Sequence, residues 1–422
     1  MESVGVGLLG LGTVGSAVAA RLIDEWELLG ERAGATPVLR CVAVRDTSRS
    51  REIDLKNVRL LADARAVVDD PDVSIVIEAI GGIDPATALI ESALRAGKSV
   101  VTANKAAMAA SGPRLADVAA AHHAGLHFEA AVGAGLPIVS LLSTSLLGDR
   151  ITALDCVING TTNVILSRMR TGRLTFDEAL RDAQDRGFAE ADPTLDVDGW
   201  DAAHKLVILS WLAMGAHVET GGVDRVGIRA VAGDDVRALD QLGYRVRLLA
   251  HAGRASGGRV RLSVRPTAVG ARHLLGDVDD ADNAVIITSD LATRVMLRGL
   301  GAGGASTASA VVSDVVNAVR ERGAPRRTAP AARTAEPLDD EDVDVAGYVR
   351  LRLSRESEGR ELVVQALEDR GIAVDAAVDL PQGGLIVLTG TASRAMHLRA
   401  IETLDTLTSV DEIACTLDRV EA

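Results

Sequence analysis

The first hundred residues alternate between short apolar runs and amphipathic stretches of helical periodicity. The apolar runs are continuous, which is typical of strands buried on both faces of a sheet. The stretch 85–96 carries Pro85 in its first turn and is followed by Gly97, as expected of a helix start and stop. Because strand and helix take turns, we predict a parallel sheet flanked by helices. The predicted strands are 4–10, 38–44, 73–80 and 99–102, and the predicted helices are 16–29 and 85–96.

Beyond residue 130 the pattern changes to longer helices mixed with strands of alternating polarity, such as 259–265. A segment rich in proline, alanine and charge is typical of a linker, and the elements after it follow the ferredoxin-like order β-α-β-β-α-β. The helix 307–320 is expected to pack back on the N-terminal domain. The predicted division is an N-terminal domain over 1–130, a mixed α/β domain over 131–320, a linker over 323–344 and a ferredoxin-like domain over 345–422.

Composition restricts the class of partner. Of the 422 residues, 59 are acidic and 45 are Lys or Arg, and the net charge of −14 argues against nucleic acid or an anionic membrane as a partner. Three cysteines without metal-like spacing are typical of a reduced, cytoplasmic protein. No apolar run reaches about 18 residues, so neither a signal peptide nor a membrane span is expected. A small-molecule partner fits these properties best.

A glycine-rich turn gives the first chemical signal. The motif Gly10-Leu11-Gly12-Thr13-Val14-Gly15 follows a predicted strand and opens a predicted helix. In that context Gly10 allows a tight turn, Gly12 lets the backbone approach a pyrophosphate, and Gly15 lets the helix pack closely on the strand. The N–H groups of Thr13 and Val14 would face the phosphates at the helix N-terminus. We therefore predict a Rossmann-type domain that binds a dinucleotide.

The choice between NAD and NADP depends on the end of the second strand. Arg45 and Asp46 follow this strand. An acid there bonds the ribose 2′-hydroxyl of NAD, whereas an arginine accommodates the 2′-phosphate of NADP. Both residue types are present, and because Arg45 comes first we favour NADP over NAD.

The segment 184–205 carries the densest chemistry. A capping box at Thr175 to Glu178 starts a helix that should end near Gly187, and four acids then follow in a loop. Asp198 can cap the next helix, on which Asp201 and Lys205 lie four residues apart on one face. An exposed pair would contribute only about 0.3–0.5 kcal/mol. The rest of the helix is apolar nearly all round, so we predict that the pair is buried for a functional reason. The four acids of the loop are Glu190, Asp192, Asp196 and Asp198.

Lysine is scarce in this chain, which makes the positions of Lys105 and Lys205 informative. Only four lysines occur among 45 basic residues, and two of them are Lys105, in VVTANK, and Lys205. A desolvated lysine can exchange a proton, whereas an arginine cannot at biological pH. Their retention suggests that an amine capable of proton transfer is needed.

Several motifs in this order resemble those of homoserine dehydrogenase. They are GLGTVG, EAIGGIDPA, VVTANK, FEAAVGAGLP, INGTTN, AEADPTLDVDGWDAAHK, LGYRVRLLA and GLGAGGASTASAVVSD, and they span about residues 1–320. The last segment resembles the ACT domain that many members carry. The resemblance implies a mixed α/β catalytic and dimerisation domain, a homodimer, and the NAD(P)-dependent interconversion of L-aspartate 4-semialdehyde and L-homoserine on the route to threonine and methionine.

The resemblance also assigns residues. Lys205 matches the proton donor, Lys105 a second lysine at the reacting oxygen that also lies near the cofactor, and Asp201 the acid that orients them. Glu190 and Asp196 match acids that bind the substrate. The cofactor is expected at Gly10, Gly12, Thr13, Val14, Gly15, Arg45, Lys105, Gly160, Gly187 and Gly303. A sodium or potassium ion is expected at Glu129 and the carbonyls of Val132, Ala134 and Leu136, since such an oxygen set suits a hard cation.

The chain departs from the family pattern in the ACT-like domain. Glu358-Gly359 stands where ACT domains that bind amino acids often have Pro-Gly. Two roles therefore stay open for this domain: binding of an amino-acid effector and assembly of subunits.

Two other functions compete with the main interpretation. An aspartate-semialdehyde dehydrogenase needs a nucleophilic cysteine, and Cys156, in an apolar strand without a paired histidine, is the only candidate. A nucleotide sensor would bind the cofactor without turnover, but it would have no use for paired proton-transfer groups.

Overall fold

The chain folds into two units of mixed helices and strands. The computed structural model describes residues 2–51, 53–324, 329–338, 343–354, 356–380 and 383–421. The chain divides into two units. The first comprises Met1–Thr152, His204–Gly221 and Ile286–Ala335, and the second comprises Ala153–Ala203, Gly222–Val285 and Glu336–Ala422.

The sheet of the first unit has the order β3-β2-β1-β4-β5-β6, and every pairing is parallel. This confirms the predicted parallel α/β sheet, and its central strands are buried as their continuous apolar runs require. The elements up to residue 145 are β1 (Ser3–Leu9), α1 (Thr13–Asp24), α2 (Trp26–Ala33), β2 (Thr36–Ala43), β3 (Arg59–Leu61), α3 (Ala64–Val68), β4 (Ile75–Glu78), α4 (Ala86–Arg95), β5 (Ser99–Thr102), α5 (Lys105–Ala121), β6 (Leu126–His127), a 3₁₀ turn (Glu129–Ala131) and α6 (Ile138–Ser140), continued by a π-helical stretch (Leu141–Ser145).

The prediction of one helix over 16–29 is wrong. The structure has two helices separated at Glu25, whose φ of −118° and ψ of 24° leave the helical region. The second of them, α2, ends at Gly34, which adopts the left-handed conformation typical of a helix C-terminus. Apolar residues continue across the break, so periodicity alone does not reveal it.

The second sheet has the order β13-β12-β7-β10-β11-β18-β15-β17-β16, with β9 beside β11. Helix α10 crosses the boundary between the units, which falls between Ala203 and His204. The elements of this part of the chain are β7 (Ile151–Val157), α7 (Gly160–Thr171), α8 (Phe176–Asp185), α9 (Thr194–Val197), α10 (Trp200–Met214), β8 (Ala216–His217), β9 (Asp224–Arg225), α11 (Gly233–Gln241), β10 (Tyr244–Arg254), β11 (Val260–Gly270), β12 (Asp282–Ser289), β13 (Arg294–Leu300) and α12 (Gly304–Arg320).

The C-terminal elements follow the predicted order β-α-β-β-α-β. Their sheet continues the sheet before it, because β18 pairs in parallel with β11 from Thr267–Asp418 to Val269–Val420. These elements are β14 (Arg333–Thr334), which precedes the set, then β15 (Asp344–Leu353), α13 (Glu356–Glu368), β16 (Val374–Leu380), β17 (Gly384–Ser393), α14 (Arg394–Asp405) and β18 (Val410–Val420).

Part of the segment 323–344 is more ordered than a linker. The Arg333 N–H donates to the Gly215 carbonyl at 2.8 Å, and β14 pairs with β8. Main-chain pairing of this kind needs no particular side chains, so the proline-rich and charged composition does not reveal it. The parts of the segment at 325–328 and 339–342 lie outside the described residues.

Helix α12 packs on the first sheet, where Val311, Val315 and Val319 join Val18 and Leu22 in one apolar core. No helix in the described part of the chain is long and apolar enough to span a bilayer.

Candidate active site

The glycine turn between β1 and α1 is shaped by close backbone contacts. Gly10 has φ +96°, and a Cβ there would lie 2.7 Å from the Ala79 carbonyl oxygen. A Cβ on Gly15 would lie 2.2 Å from the Gly10 carbonyl oxygen. Around Gly12, by contrast, no described atom comes within 4 Å of a built Cβ. Two glycines are therefore required by the fold, while Gly12 lies next to open space of the kind a pyrophosphate needs.

A second helix N-terminus lies beside this turn. Gly303 has φ +113°, and a Cβ on Gly304, the first residue of α12, would lie 3.0 Å from Thr13 Cγ2. Gly12 precedes α1 and Gly303 precedes α12, and neither supplies a side-chain cap. The N–H groups and positive dipole ends of two helices are thus presented together, which favours an anion.

The loop after β2 holds Arg45 and Asp46 close to the glycine turn. The Gly10 N–H donates to the carbonyl of Ala43, the last residue of β2, at 3.0 Å. Arg45 is exposed, whereas the Asp46 carboxylate accepts the N–H and the hydroxyl of Ser48 at 2.9 and 2.6 Å. These hydrogen bonds lower the pKa of Asp46. The acid is engaged within its own loop, and the arginine side chain extends into solvent.

A buried hydrogen-bond network fixes the loops that lead to Lys105. Glu78, at the end of β4, is fully buried, and its carboxylate accepts the N–H groups of Ile80 and Gly81 and, at 2.6 Å, the hydroxyl of Thr102. Asn104 donates from Nδ2 to the Gly82 carbonyl at 2.6 Å and caps α5 through the Ala107 N–H.

Lys105 is the first residue of that capped helix. The sequence motifs EAIGGIDPA and VVTANK contain the residues of this network, but residue type alone gave Glu78, Thr102 and Asn104 no role.

Glu129 is buried next to a second acid, Asp314. Its carboxylate accepts the Val139 N–H at 2.7 Å and the Ser140 N–H at 2.8 Å, and its own N–H donates to Asp314 Oδ2 at 2.9 Å. Burial raises the pKa of both carboxyl groups, and the nearby Glu129 charge raises that of Asp314 further. Ala134 has φ +48°, and the Leu136 carbonyl accepts the Ile138 N–H at 2.8 Å. No group of three or more His, Cys, Asp or Glu side chains suited to a metal occurs among the described residues.

Helix α10 is buried as predicted, and it carries two charged side chains. Asp201 is 4% exposed and Lys205 is 7% exposed, while Leu206, Ile208 and Trp211 further along the helix are fully buried. Charges are placed on such a helix only at a large desolvation cost. The fold itself gains little from them, which makes the pair the strongest candidate for chemistry in this region.

Asn159 brings two of the predicted acids together. Its side-chain Nδ2 donates to Asp196 Oδ1 at 2.7 Å and to Asp201 Oδ2 at 2.9 Å. Residue type alone indicates no role for this asparagine, because it precedes α7 and is far from both acids in sequence. The motif INGTTN, to which it belongs, was the available signal.

The other acids of the loop have local partners. Asp198 was predicted to cap α10, but Gly199 is the residue that directly precedes the helix start at Trp200, and the Asp198 carboxylate accepts from Arg229. Asp192 accepts the Thr194 N–H at 3.1 Å. Glu190 is exposed on the loop, where its carbonyl accepts from Gln184. Glu190 and Asp196 therefore stay the candidates for contact with substrate.

Two other glycines predicted to face the cofactor have structural reasons of their own. A Cβ on Gly160 would lie 3.3 Å from the Ala281 carbonyl oxygen. Gly187 has φ +76° at the end of α8, where the predicted helix stop is confirmed.

The cysteines offer no nucleophile. Cys156 is fully buried in β7, and burial raises the pKa of its thiol. Burial, with the nearby Asp70 carboxylate, raises the pKa of Cys41 to about 11. A thioester mechanism needs an accessible thiolate, so the aspartate-semialdehyde dehydrogenase alternative loses its only candidate.

Comparison with known families agrees with this geometry. The family model described as "Homoserine dehydrogenase, NAD binding domain" matches residues 10–129, and the model described as "Homoserine dehydrogenase" matches residues 137–316. The first match contains the glycine turn and Lys105, and the second contains Asn159, Asp201 and Lys205.

Individual proteins are similar over most or all of the chain. The homoserine dehydrogenase of Bacillus subtilis is 35% identical over 100% of this chain and 99% of its own. The crystal structure of a homoserine dehydrogenase from Thiobacillus denitrificans has a TM-score of 0.93 at 37% identity and covers 100% of this chain and 99% of its own. A hyperthermophilic archaeal homoserine dehydrogenase in complex with NADPH has a TM-score of 0.63 at 30% identity, over 77% of this chain and 100% of its own.

Proposed function

The chain belongs to the homoserine dehydrogenase family of NAD(P)-dependent oxidoreductases, and on this premise we propose how its residues interconvert L-aspartate 4-semialdehyde and L-homoserine. The observation that carries the proposal is the burial of Asp201 and Lys205 on the otherwise apolar helix α10. When bound, the nicotinamide cofactor exchanges a hydride with the carbonyl carbon of the substrate. The chain must then hold the substrate and exchange the proton.

Lys205 is assigned to the proton. In the reducing direction its ammonium donates to the carbonyl oxygen as the alcohol forms, and in the reverse direction its neutral amine accepts the hydroxyl proton. Lys105, the first residue of the helix that Asn104 caps, is assigned as the second lysine at this oxygen. Asp201, one turn before Lys205, orients the amine and the substrate.

Glu190 and Asp196 are assigned to the substrate ammonium. A carboxylate beside an ammonium forms a charge-assisted hydrogen bond, which is stronger than a neutral one. Replacing Asp196 with Asn should therefore raise KM for homoserine more than it lowers kcat.

The nicotinamide cofactor fits the glycine turn. Gly10, Gly12, Thr13, Val14, Gly15 and Gly303 form the phosphate cradle at the two helix N-termini, and Lys105, Gly160 and Gly187 complete the proposed cofactor set. We favour NADP, because Arg45 is exposed beside the turn while the Asp46 carboxylate is engaged by Ser48. Arg45→Ala should raise KM for NADPH and leave that for NADH unchanged.

A sodium or potassium ion is proposed at Glu129 with the carbonyls of Val132, Ala134 and Leu136. The donor set consists of oxygens only, as a hard monovalent cation prefers. The buried Glu129 and Asp314 carboxyl groups support the fit, because a cation would stabilise their ionised forms. Activity in KCl, NaCl and N-methylglucamine chloride at equal ionic strength tests this assignment, with Glu129→Gln as the matched variant.

We further propose a homodimer through the mixed domain, a cytoplasmic location, and a place in threonine and methionine biosynthesis. Three free cysteines fit a reducing compartment. Light scattering measures the oligomer, and a threonine titration of activity decides whether the C-terminal domain binds an effector.

The deciding experiment is turnover with L-aspartate 4-semialdehyde and NADPH. Turnover that is lost in Lys205→Ala, with cofactor affinity retained, is the expected result. Cofactor binding without turnover of the wild-type protein would favour the nucleotide sensor instead.

A further inference from the structure

The side chain of Asn159 has one orientation, fixed by the helix that follows it. Asn159 precedes α7, and its Oδ1 accepts the Thr162 N–H at 2.8 Å and the Thr162 hydroxyl at 2.9 Å. A main-chain N–H can only donate, so the oxygen of the amide must face the helix. The amide nitrogen therefore points the other way.

On that other side the amide nitrogen donates hydrogen bonds to two carboxylates. Asp196 on α9 and Asp201 in the first turn of α10 each accept from Nδ2, at 2.7 and 2.9 Å. Asn159 is only 4% exposed. Two like charges held near each other in a low-dielectric place repel, and each tends to take up a proton. A donor shared between them offsets that repulsion and fixes their relative position.

A helix cap alone does not require asparagine at this position. Asp, Ser and Thr cap helices about as well, and the chain uses Asp63, Thr175 and Ser393 in this way. Aspartate at position 159 would keep the cap but place a third carboxylate against Asp196 and Asp201. The amide is the group that can cap α7 and donate to both acids at once.

We propose that Asn159 is a positioning residue, which holds Asp201 in the orientation that serves Lys205 and holds Asp196 in place for the substrate ammonium. This inference rests on the proposed function of those three residues. Asn159 acts through them and takes no part in the chemistry itself.

Two variants test the role without removing the cap. Asn159→Ser keeps a capping hydroxyl but removes the bridge, and kcat/KM for homoserine should fall by roughly 10²-fold, as expected when a misplaced group disturbs the reacting geometry. Asn159→Asp keeps the cap and adds a charge. The rising limb of homoserine oxidation against pH should then move to higher pH, because an added negative charge in this cluster stabilises the lysine ammonium. NADPH affinity should stay unchanged in both.

Asn163→Ala is the matched structural control. Asn163 lies one turn further along α7, is equally buried, and donates to the carbonyls of Val278 and Asp280. Its variant should lower the melting temperature while the pH limb stays in place.

Failure of the Asn159 role and failure of the proposed enzyme function give different results. If the wild-type enzyme turns over and both Asn159 variants keep kcat/KM within threefold with an unmoved pH limb, Asn159 is only a cap and the inference is overturned. If Asn159→Ser does not fold, the limb position of Asn159→Asp decides. Absence of wild-type turnover with either homoserine or the semialdehyde would overturn the proposed function, and this inference with it.

Discussion

A buried ion pair joins strand β15 of the C-terminal sheet to helix α11. The substitution Arg350→Met would break this pair. Asp235, in the first turn of α11, is fully buried. Arg350 on β15 donates to it from Nε at 2.6 Å and from Nη2 at 3.1 Å, and the Tyr348 hydroxyl donates at 2.8 Å. These contacts raise the pKa of Arg350 further above its ordinary value. Methionine keeps much of the side-chain length but leaves the carboxylate without its cation.

The size of the effect follows from what Asp235 retains. Breaking a buried pair by removing one partner costs about 3–5 kcal/mol. Tyr348 and the Ala232 N–H still donate to Asp235, so we expect the lower end, about 3 kcal/mol. For a unit of this size, that corresponds to a fall of roughly 6–12 °C in melting temperature.

The same strand supplies a control. Arg352, two residues later, pairs with Glu412, and both side chains are at least half exposed. Arg352→Met should lose at most about 1 kcal/mol. Urea unfolding of the three proteins, followed by circular dichroism, gives the comparison, and Asp235→Asn with Arg350→Met should recover part of the loss. Equal stabilities of the two single variants would refute the argument that burial makes the Arg350 pair matter.

Three further predictions follow from the site. Lys205→Ala should reduce kcat by roughly 10²–10⁴-fold while NADPH binds as before. Asp201→Asn should also lower kcat steeply. A change confined to KM would instead show that Asp201 binds the ground state and the transition state equally. Gly12→Val should fold normally but bind NADPH poorly, whereas Gly10→Val should be strongly destabilised by its contact with the Ala79 carbonyl. Calorimetry should therefore show a lower melting temperature only for Gly10→Val, and a cofactor titration should show the weaker NADPH binding of Gly12→Val. Iodoacetamide at pH 8 should leave Cys41 and Cys156 of the native protein unlabelled, since both are buried with raised thiol pKa values, and fast labelling of either would contradict their burial.

The parts of the fold set by local pattern were predictable from sequence. The parallel sheet follows from continuous apolar runs between helices, and the burial of α10 follows from its lack of a polar face. The capping box at Thr175 forms as predicted, because the three-residue spacing contains all of its geometry.

The parts set by tertiary pairing were not predictable. Asn159 and Asp201 are 42 residues apart, and Arg350 and Asp235 are 115 apart, so no spacing in the sequence indicates that they bond. Asp198 illustrates the converse: it has the residue type of a cap, but the pairing with Arg229 takes its carboxylate elsewhere. Main-chain pairing at Arg333 is equally invisible to composition.

The buried Lys205 on α10 is proposed to exchange the proton of the homoserine dehydrogenase reaction. The most direct measurement is oxidation of NADPH by L-aspartate 4-semialdehyde, with the wild-type protein and Lys205→Ala compared at matched cofactor saturation. We expect wild-type turnover to homoserine and a variant that binds NADPH but turns over at least about 10²-fold more slowly. A Lys205→Ala variant with wild-type kcat would contradict this assignment.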